Sequence, residues 1–221
     1  MDSNCLLPSY NVLTQHQIER INSNALVVIH KKGENIFSQD KPVSYLMFLR
    51  SGLVKIFKEG QNKRTVILEI ASPNHYIGAF SIFYGNRYQI SGTTIEDSEL
   101  VYINFNIFRE ILSENGAYAL QILQDFSSEG MFLINKLMDF PQKQVPGRIA
   151  EMLIFFASDI YFNNEFTLPI SRQELADLVY STKESVSRTL TEFKNDRIIG
   201  IEDRKVVLQS VELLKILSKL G

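Results

Sequence analysis

Cysteine is almost missing from this chain: Cys5 is the only one in 221 residues. An intramolecular disulfide is therefore impossible, and a four-thiolate metal or cluster site within one chain is excluded. A lone thiol fits a reducing compartment. Histidine is also sparse. His16, His30 and His75 lie on separate segments with no His-x-His pair, so a histidine-rich metal centre has no ligand cluster to start from. Proline (6) and glycine (11) are too few for a low-complexity or collagen-like chain. Neither sign of charge dominates, because 23 Lys and Arg against 25 Asp and Glu leave a formal net charge of -2. That balance announces neither a strongly basic nucleic-acid binder nor an acid-rich disordered segment. No run approaches the roughly 18–20 uninterrupted apolar residues of a membrane span. The opening residues, MDSNCLLPSY, lack the basic start and apolar core of a secretory signal. The expected location is the cytoplasm, with no membrane partner. What remains is 45% apolar, 22% charged and 11% aromatic, the composition of one large globular domain or two small ones.

The texture changes along the chain. From Ala25 to about Phe105, short β-type runs such as Leu26–Ile29, Tyr45–Leu49, Val54–Phe57, Thr65–Leu68 and Leu100–Ile103 alternate with glycine-bearing turns. Such spacing reads as an antiparallel sandwich or barrel, with Glu59–Lys63 as an exposed hairpin tip. From Ala117 to Phe140 the period becomes helical. Ala119, Leu123, Phe126, Gly130, Leu133, Leu137 and Phe140 step by four and three, an a/d heptad track, with Leu120, Ile134 and Met138 beside it. So wide a stripe implies two neighbours, the barrel and a symmetry mate; a long core helix in a monomer is the alternative. Leu123, Phe126, Gly130, Leu133 and Leu137 are the expected dimer contacts. Pro141 and Pro146 then break the helix. The resulting division is a barrel over 1–115, a dimerisation helix over 116–140, a hinge over 141–146 and a second domain over 147–221.

The second domain carries the chemistry. Ser171 followed by Glu174 forms a capping box that opens a short helix burying Leu175, Ala176 and Val179. A turn at Val179–Ser181 leads into a helix capped by Ser181 or Thr182 and buried through Val186, Leu190 and Phe193. Its other face presents Lys183, Glu184, Ser187, Arg188 and Thr191, side-chain types that suit a major groove. Arginine reaches guanine O6 and N7 in a bidentate way, and glutamate accepts from cytosine N4. The hairpin Ile198–Leu208 adds a wing. Two alternatives stay open: a surface helix pair with merely solvated charges, and Glu184 closing a capping box with Ser181. From Gly147 onward 10 basic residues face 11 acidic ones, so non-specific DNA affinity should be weak and dimerisation should help.

A barrel, a heptad helix and a winged helix-turn-helix in one chain resemble the cyclic AMP receptor protein and fumarate-nitrate reduction regulator (CRP/FNR) family of bacterial transcription factors. The fold class is then α+β: an N-terminal cyclic-nucleotide-binding-like antiparallel barrel (double-stranded β-helix), a long dimerisation helix and a C-terminal winged helix-turn-helix. Lys32–Gln39, Arg50–Val54 and Tyr76–Phe83 are similar to barrel motifs of that family, the last to its phosphate-binding cassette. Val145–Ala150, Ile170–Leu175 and Glu184–Arg188 are similar to its DNA-binding segments. The resemblance implies base contacts by Glu184, Ser187 and Arg188, reading TTGA-type half-sites, and Lys183 on the same face is the further base contact expected. It implies phosphate contacts by Ser171, Arg172 and Gln173, to which Thr182 at the start of the second helix is added, and RNA polymerase as a partner.

The effector position departs from the family's cyclic-nucleotide binders. Gly78–Ala79 replaces their Gly-Glu, Tyr88–Gln89 replaces their Arg-Ser with Arg87 one position away, and Leu133–Ile134 replaces a polar pair. A cyclic phosphate needs a cation and donors, so cyclic AMP is not the expected ligand. The iron–sulfur branch needs four cysteines and is excluded. No cofactor is evident, and the effector is unknown. Tyr180 stands where the family has a turn glycine, and Asp40 and Asn74 replace two barrel glycines; Asn and Asp tolerate the left-handed conformation. The competing classes are a cupin-like barrel enzyme and a ligand-binding subunit whose helix-turn-helix contacts only protein; the expectation is that the chain is not an enzyme.

Overall fold

Leu46, Met47, Phe48 and Leu49 are four consecutive buried residues, a pattern that a strand shows only when both its faces are covered. In the computed structural model, which describes residues 5–8, 11–60, 65–85 and 87–220, that strand is β3 (Tyr45–Ser51). It lies in a four-stranded antiparallel sheet of order β1-β8-β3-β6, with β1 at Ala25–His30, β6 at His75–Ile77 and β8 at Ser98–Asn104. A second antiparallel sheet has the order β2-β7-β4-β5, from Asn35–Phe37, Ser91–Thr94, Val54–Glu59 and Thr65–Ala71. Met47 and Leu49 join Phe37, Val54, Ile56, Ala71, Ile77, Tyr88 and Leu100 in the layer between the sheets. Leu46 and Phe48 point the other way, into a cluster with residues of four helices. Those helices are α1 (Gln15–Ser23), α2 (Ala79–Tyr84), α3 (Phe105–Glu114) and α4 (Gly116–Gln142). Burial of Phe108, Ile111 and Tyr118 there contributes about 1.5–3 kcal/mol per side chain. The expected barrel is thus a double-sheet sandwich with helices on one outer face. The hairpin tip expected at Glu59–Lys63 falls, from Gln61 on, outside the described residues.

Local conformation follows residue type at the turns. Gly52 has φ of 85°, and a side chain there would run into Ser98 and the Asp97 carbonyl, so glycine alone fits. Asp40 and Asn74 have φ of 66° and 71°, the left-handed conformation that their short polar side chains tolerate. The turn residue Tyr180 also adopts it, with φ of 52°, although tyrosine has no such advantage.

The chain divides into two units, Met1–Phe132 and Leu133–Gly221. The second contains α5 (Val145–Phe155), a π-helical turn at Phe156–Ile160, β9 (Glu165–Thr167), α6 (Arg172–Leu178) and α7 (Lys183–Asn195). It ends with β10 (Ile199–Glu202), β11 (Lys205–Leu208) and α8 (Val211–Leu220). Ile149, Ala150, Leu153, Phe156, Leu175, Ala176, Val186, Leu190 and Val206 are buried in this unit. Between α4 and α5 only Lys143 and Gln144 are non-helical. Pro141 lies in the last turn of α4, and Pro146 lies in the first turn of α5, where a missing N–H leaves no intrahelical bond unmade. Lys143 is tied back to α5: its ammonium bonds Glu151 at 2.9 Å, and its carbonyl accepts from Arg148 at 2.9 Å. Among the described residues no helix is long and apolar enough to cross a membrane.

Candidate nucleic-acid interface

Two capped helices set the geometry of α6 and α7. Ser171 Oγ accepts from the Glu174 amide at 3.2 Å, and Glu174 accepts from the Ser171 amide at 2.8 Å, the reciprocal capping box expected from the sequence. Ala176 is fully buried, and its small side chain lets α7 pack against α6. The Ser181 amide donates to the Ala176 carbonyl at 2.9 Å and closes the turn around Tyr180. Thr182 then caps α7 by accepting from the Ser185 amide at 3.2 Å. Of the two alternatives for Glu184, the capping box with Ser181 does not form. The third residue of α7 is Ser185, so Glu184 sits in its first turn with an exposed side chain.

The buried stripe of α7, Val186, Leu190 and Phe193, forces the rest of the helix outward. Lys183, Glu184, Arg188 and Thr191 are exposed and Ser187 is half-buried. Arg188 is 75% exposed and has a 3.9 Å ion pair with Glu192, one turn along the helix. An exposed pair of that kind contributes at most a fraction of a kcal/mol, so the guanidinium exchanges it readily for another acceptor.

Beside this face lies a cleft of about 270 Å³ lined by Ser171, Arg172, Gln173, Lys183, Asp203 and Arg204 among others. It gathers three of the four residues expected at phosphates, Ser171, Arg172 and Gln173; Thr182 is exposed at the start of α7. It also holds Arg204, which sequence reasoning passed over. Arg204 follows Asp203 in the two-residue turn between Glu202 and Lys205, and a two-residue loop between short apolar runs was the signal for it. Three cations against one carboxylate make the cleft locally positive, although the domain as a whole is near neutral.

The residues expected at an effector have the following surroundings. Tyr88 is buried, its ring 4.5 Å from Phe37. The place of a side chain on Gly78, which has φ of 70°, lies 3.3 Å from the Tyr88 ring. Burial pushes the Tyr88 phenol up to about 12. Ala79 is buried, the Arg87 guanidinium donates to the Asp40 carbonyl, and the Gln89 backbone N–H donates to Ser81 Oγ at 3.0 Å. On α4, Leu133 is half-buried and Ile134 exposed. Sequence reasoning also passed over Glu129 of α4. Burial, with Glu69 and Asp125 nearby, pushes its carboxyl up to about 8. By register Glu69 shares a sheet face with the buried Ile56. His30 bridges Glu34 at 3.1 Å and the Tyr102 hydroxyl at 2.8 Å, and His75 bonds the Ser72 carbonyl at 2.9 Å. Among the described residues no group of His, Cys, Asp and Glu could hold a metal ion.

Comparison with known proteins agrees with both units. Residues 27–115 match the cyclic nucleotide-binding domain and residues 147–217 the Crp-like helix-turn-helix domain. A CRP-like cAMP-activated global transcriptional regulator of Mycobacterium tuberculosis is 26% identical over 187 residues, 83% of this chain and 84% of that protein. The solved structure of a transcriptional regulator of the CRP/FNR family from Eubacterium rectale has a TM-score of 0.81 at 19% identity, covering 96% of this chain and 98% of that one. FixK2 from Bradyrhizobium japonicum gives 0.79 at 22%, covering 87% and 96%; these two show the fold. With a capped two-helix reader and its wing placed after a cyclic-nucleotide-type sandwich, the chain belongs to the CRP/FNR family and is a DNA-binding transcriptional regulator rather than an enzyme.

Proposed function

We propose that the chain works as a homodimer that reads TTGA-type palindromic half-sites, with a sandwich that does not take cyclic AMP. The observation that carries the dimer is the bare apolar flank of α4. Leu120, Leu123, Met131, Ile134, Leu137 and Met138 are all 51–63% exposed in the single chain. A core helix of a monomer would bury them, and so large an exposed apolar surface marks an interaction site. Gly130, on the same track, has open space where a side chain would stand, so a second helix can approach closely. Lys183, Glu184, Ser187 and Arg188 read base edges from α7, while Ser171, Arg172, Gln173, Thr182 and Arg204 hold phosphates. Two copies supply twice these contacts, which a near-neutral domain needs for useful affinity.

The case against cyclic AMP rests on charge and space. A cyclic phosphate asks for a cation and donors, whereas Tyr88 fills the site beneath Gly78 and the Arg87 guanidinium is spent on a backbone carbonyl. Glu69 and Asp125, which keep Glu129 protonated, add repulsion toward any anion. A signal that acts on DNA binding does so through unequal affinity for two arrangements of the DNA-binding domains, and the stretch 141–146 is the proposed joint. Within that stretch Lys143 is tied to α5 through Glu151 and Arg148. RNA polymerase is the expected protein partner. The test is stoichiometry by sedimentation on labelled duplexes. Two chains on a palindrome and a sharp affinity loss on a single half-site are expected; one chain on each, with equal affinity, would contradict the dimer. Added cyclic AMP should leave both isotherms and the melting temperature unchanged.

A further inference from the structure

Three of the six residues of α2 are exposed aromatic rings: Phe80 at 42%, Phe83 at 50% and Tyr84 at 81%. Their helical neighbours Ala79, Ser81 and Ile82 are buried, so α2 is anchored by one face and shows an aromatic ridge on the other. Such a ridge carries large apolar area at low side-chain entropy, the usual make-up of an interface core. It is not isolated. The Phe126 ring of α4 lies 5.6 Å from Phe83, 6.3 Å from Phe80 and 5.8 Å from Tyr76, and Phe83 lies edge-on to Phe105 of α3 at 5.4 Å.

Phe126 is therefore used twice. It belongs to the four-three track of α4 and to the ring cluster on α2. One turn before it stands Leu123, 59% exposed, and one turn after it stands Gly130, beside open space. Leu120 and Leu123 precede Phe126 by two turns and one turn on α4, and Phe80 and Phe83 lie against its ring, so exposed apolar surface passes from the helix track onto α2. A two-fold axis makes each copy offer the same patch to the other, so whatever covers Phe126 reaches the rings that touch it.

We infer that the dimer contact extends from α4 onto α2, with the second copy of this chain packed over Phe80, Phe83 and Tyr84. This rests on the homodimer reading above and deepens it, because it makes the cassette helix of the sandwich part of the subunit interface. Any event that shifts α2 then alters subunit association directly.

The chain contains no tryptophan, so Phe83→Trp in the full chain provides a single reporter. Its emission is followed over a protein dilution series, with sedimentation equilibrium on the same samples. The expected result is a blue shift that tracks the dimer fraction and is absent in the added Leu137→Asp variant, which should stay monomeric. A dimer in sedimentation with unchanged emission overturns the extension to α2 and leaves the α4 dimer standing. A monomer at every concentration overturns both. As a second measurement, Phe80→Ser with Tyr84→Ser should weaken dimerisation at least tenfold; an unchanged dimer constant in a variant that melts like the parent overturns the inference.

Discussion

Thr182 caps α7 by accepting from the amide of Ser185 at 3.2 Å, and this one bond decides what the neighbouring Glu184 can do. With the cap supplied by Thr182, the Glu184 carboxylate is exposed in the first turn and available to an external donor. Thr182→Ala should lower stability by about 1 kcal/mol, seen as a lower melting temperature. Glu184→Gln should change stability by less than about 0.5 kcal/mol while altering base preference at one position in competition binding. A Glu184→Gln variant as destabilised as Thr182→Ala would return Glu184 to a capping role.

Arg188 and Arg204 should behave differently. Arg188→Ala should cost on the order of 1–3 kcal/mol on the specific duplex and relax one base position. Arg172→Ala and Arg204→Ala should weaken binding to specific and random duplexes alike and reduce the salt slope by about 1 each. Salt titrations of the three variants separate the two kinds of contact.

Glu129 gives a pH signature. Its carboxyl is raised to about 8 from an ordinary 4.5, so the folded chain holds a proton there that the unfolded chain releases. The favourable contribution is complete below about pH 4.5 and is lost as pH rises toward about 8. Glu129→Gln should therefore melt above the parent by a margin that grows across this window, on the order of 2–4 kcal/mol at its upper end. A constant margin would remove the charge cluster as its cause.

Phe162 has φ of 50° and is 83% exposed, so its ring contributes little packing while its backbone takes a conformation that disfavours a side chain. Phe162→Gly should stabilise the second unit by about 1 kcal/mol. Thermal or urea unfolding checks this directly; destabilisation would mean that the ring is packed in solution.

The parts of this structure that were legible in the sequence are those written in local spacing. Ser171 and Glu174, three residues apart, close the expected capping box, and Val186, Leu190 and Phe193 mark the inner face of α7. The same signal stands at Thr14 and Gln17, which cap α1. Pro141 predicts the end of α4, yet the helix runs one residue beyond it, to Gln142. Long-range relationships were not legible. Nothing local to Glu129 points to Glu69, 60 positions earlier, and nothing in the track containing Phe126 shows that Phe80 and Phe83 pack against it. The cleft that unites Arg172, Lys183 and Arg204 depends on the hairpin folding back toward α6.

The most direct test of the account is the affinity of the full chain for a palindromic duplex with TTGA-type half-sites about one helical turn apart, measured beside a scrambled duplex at the same salt. The account predicts specific binding at least about 10³-fold tighter than to the scrambled sequence, most of it lost in Arg188→Ala. Equal affinity for the two duplexes, or a preference untouched by Arg188→Ala, would contradict it.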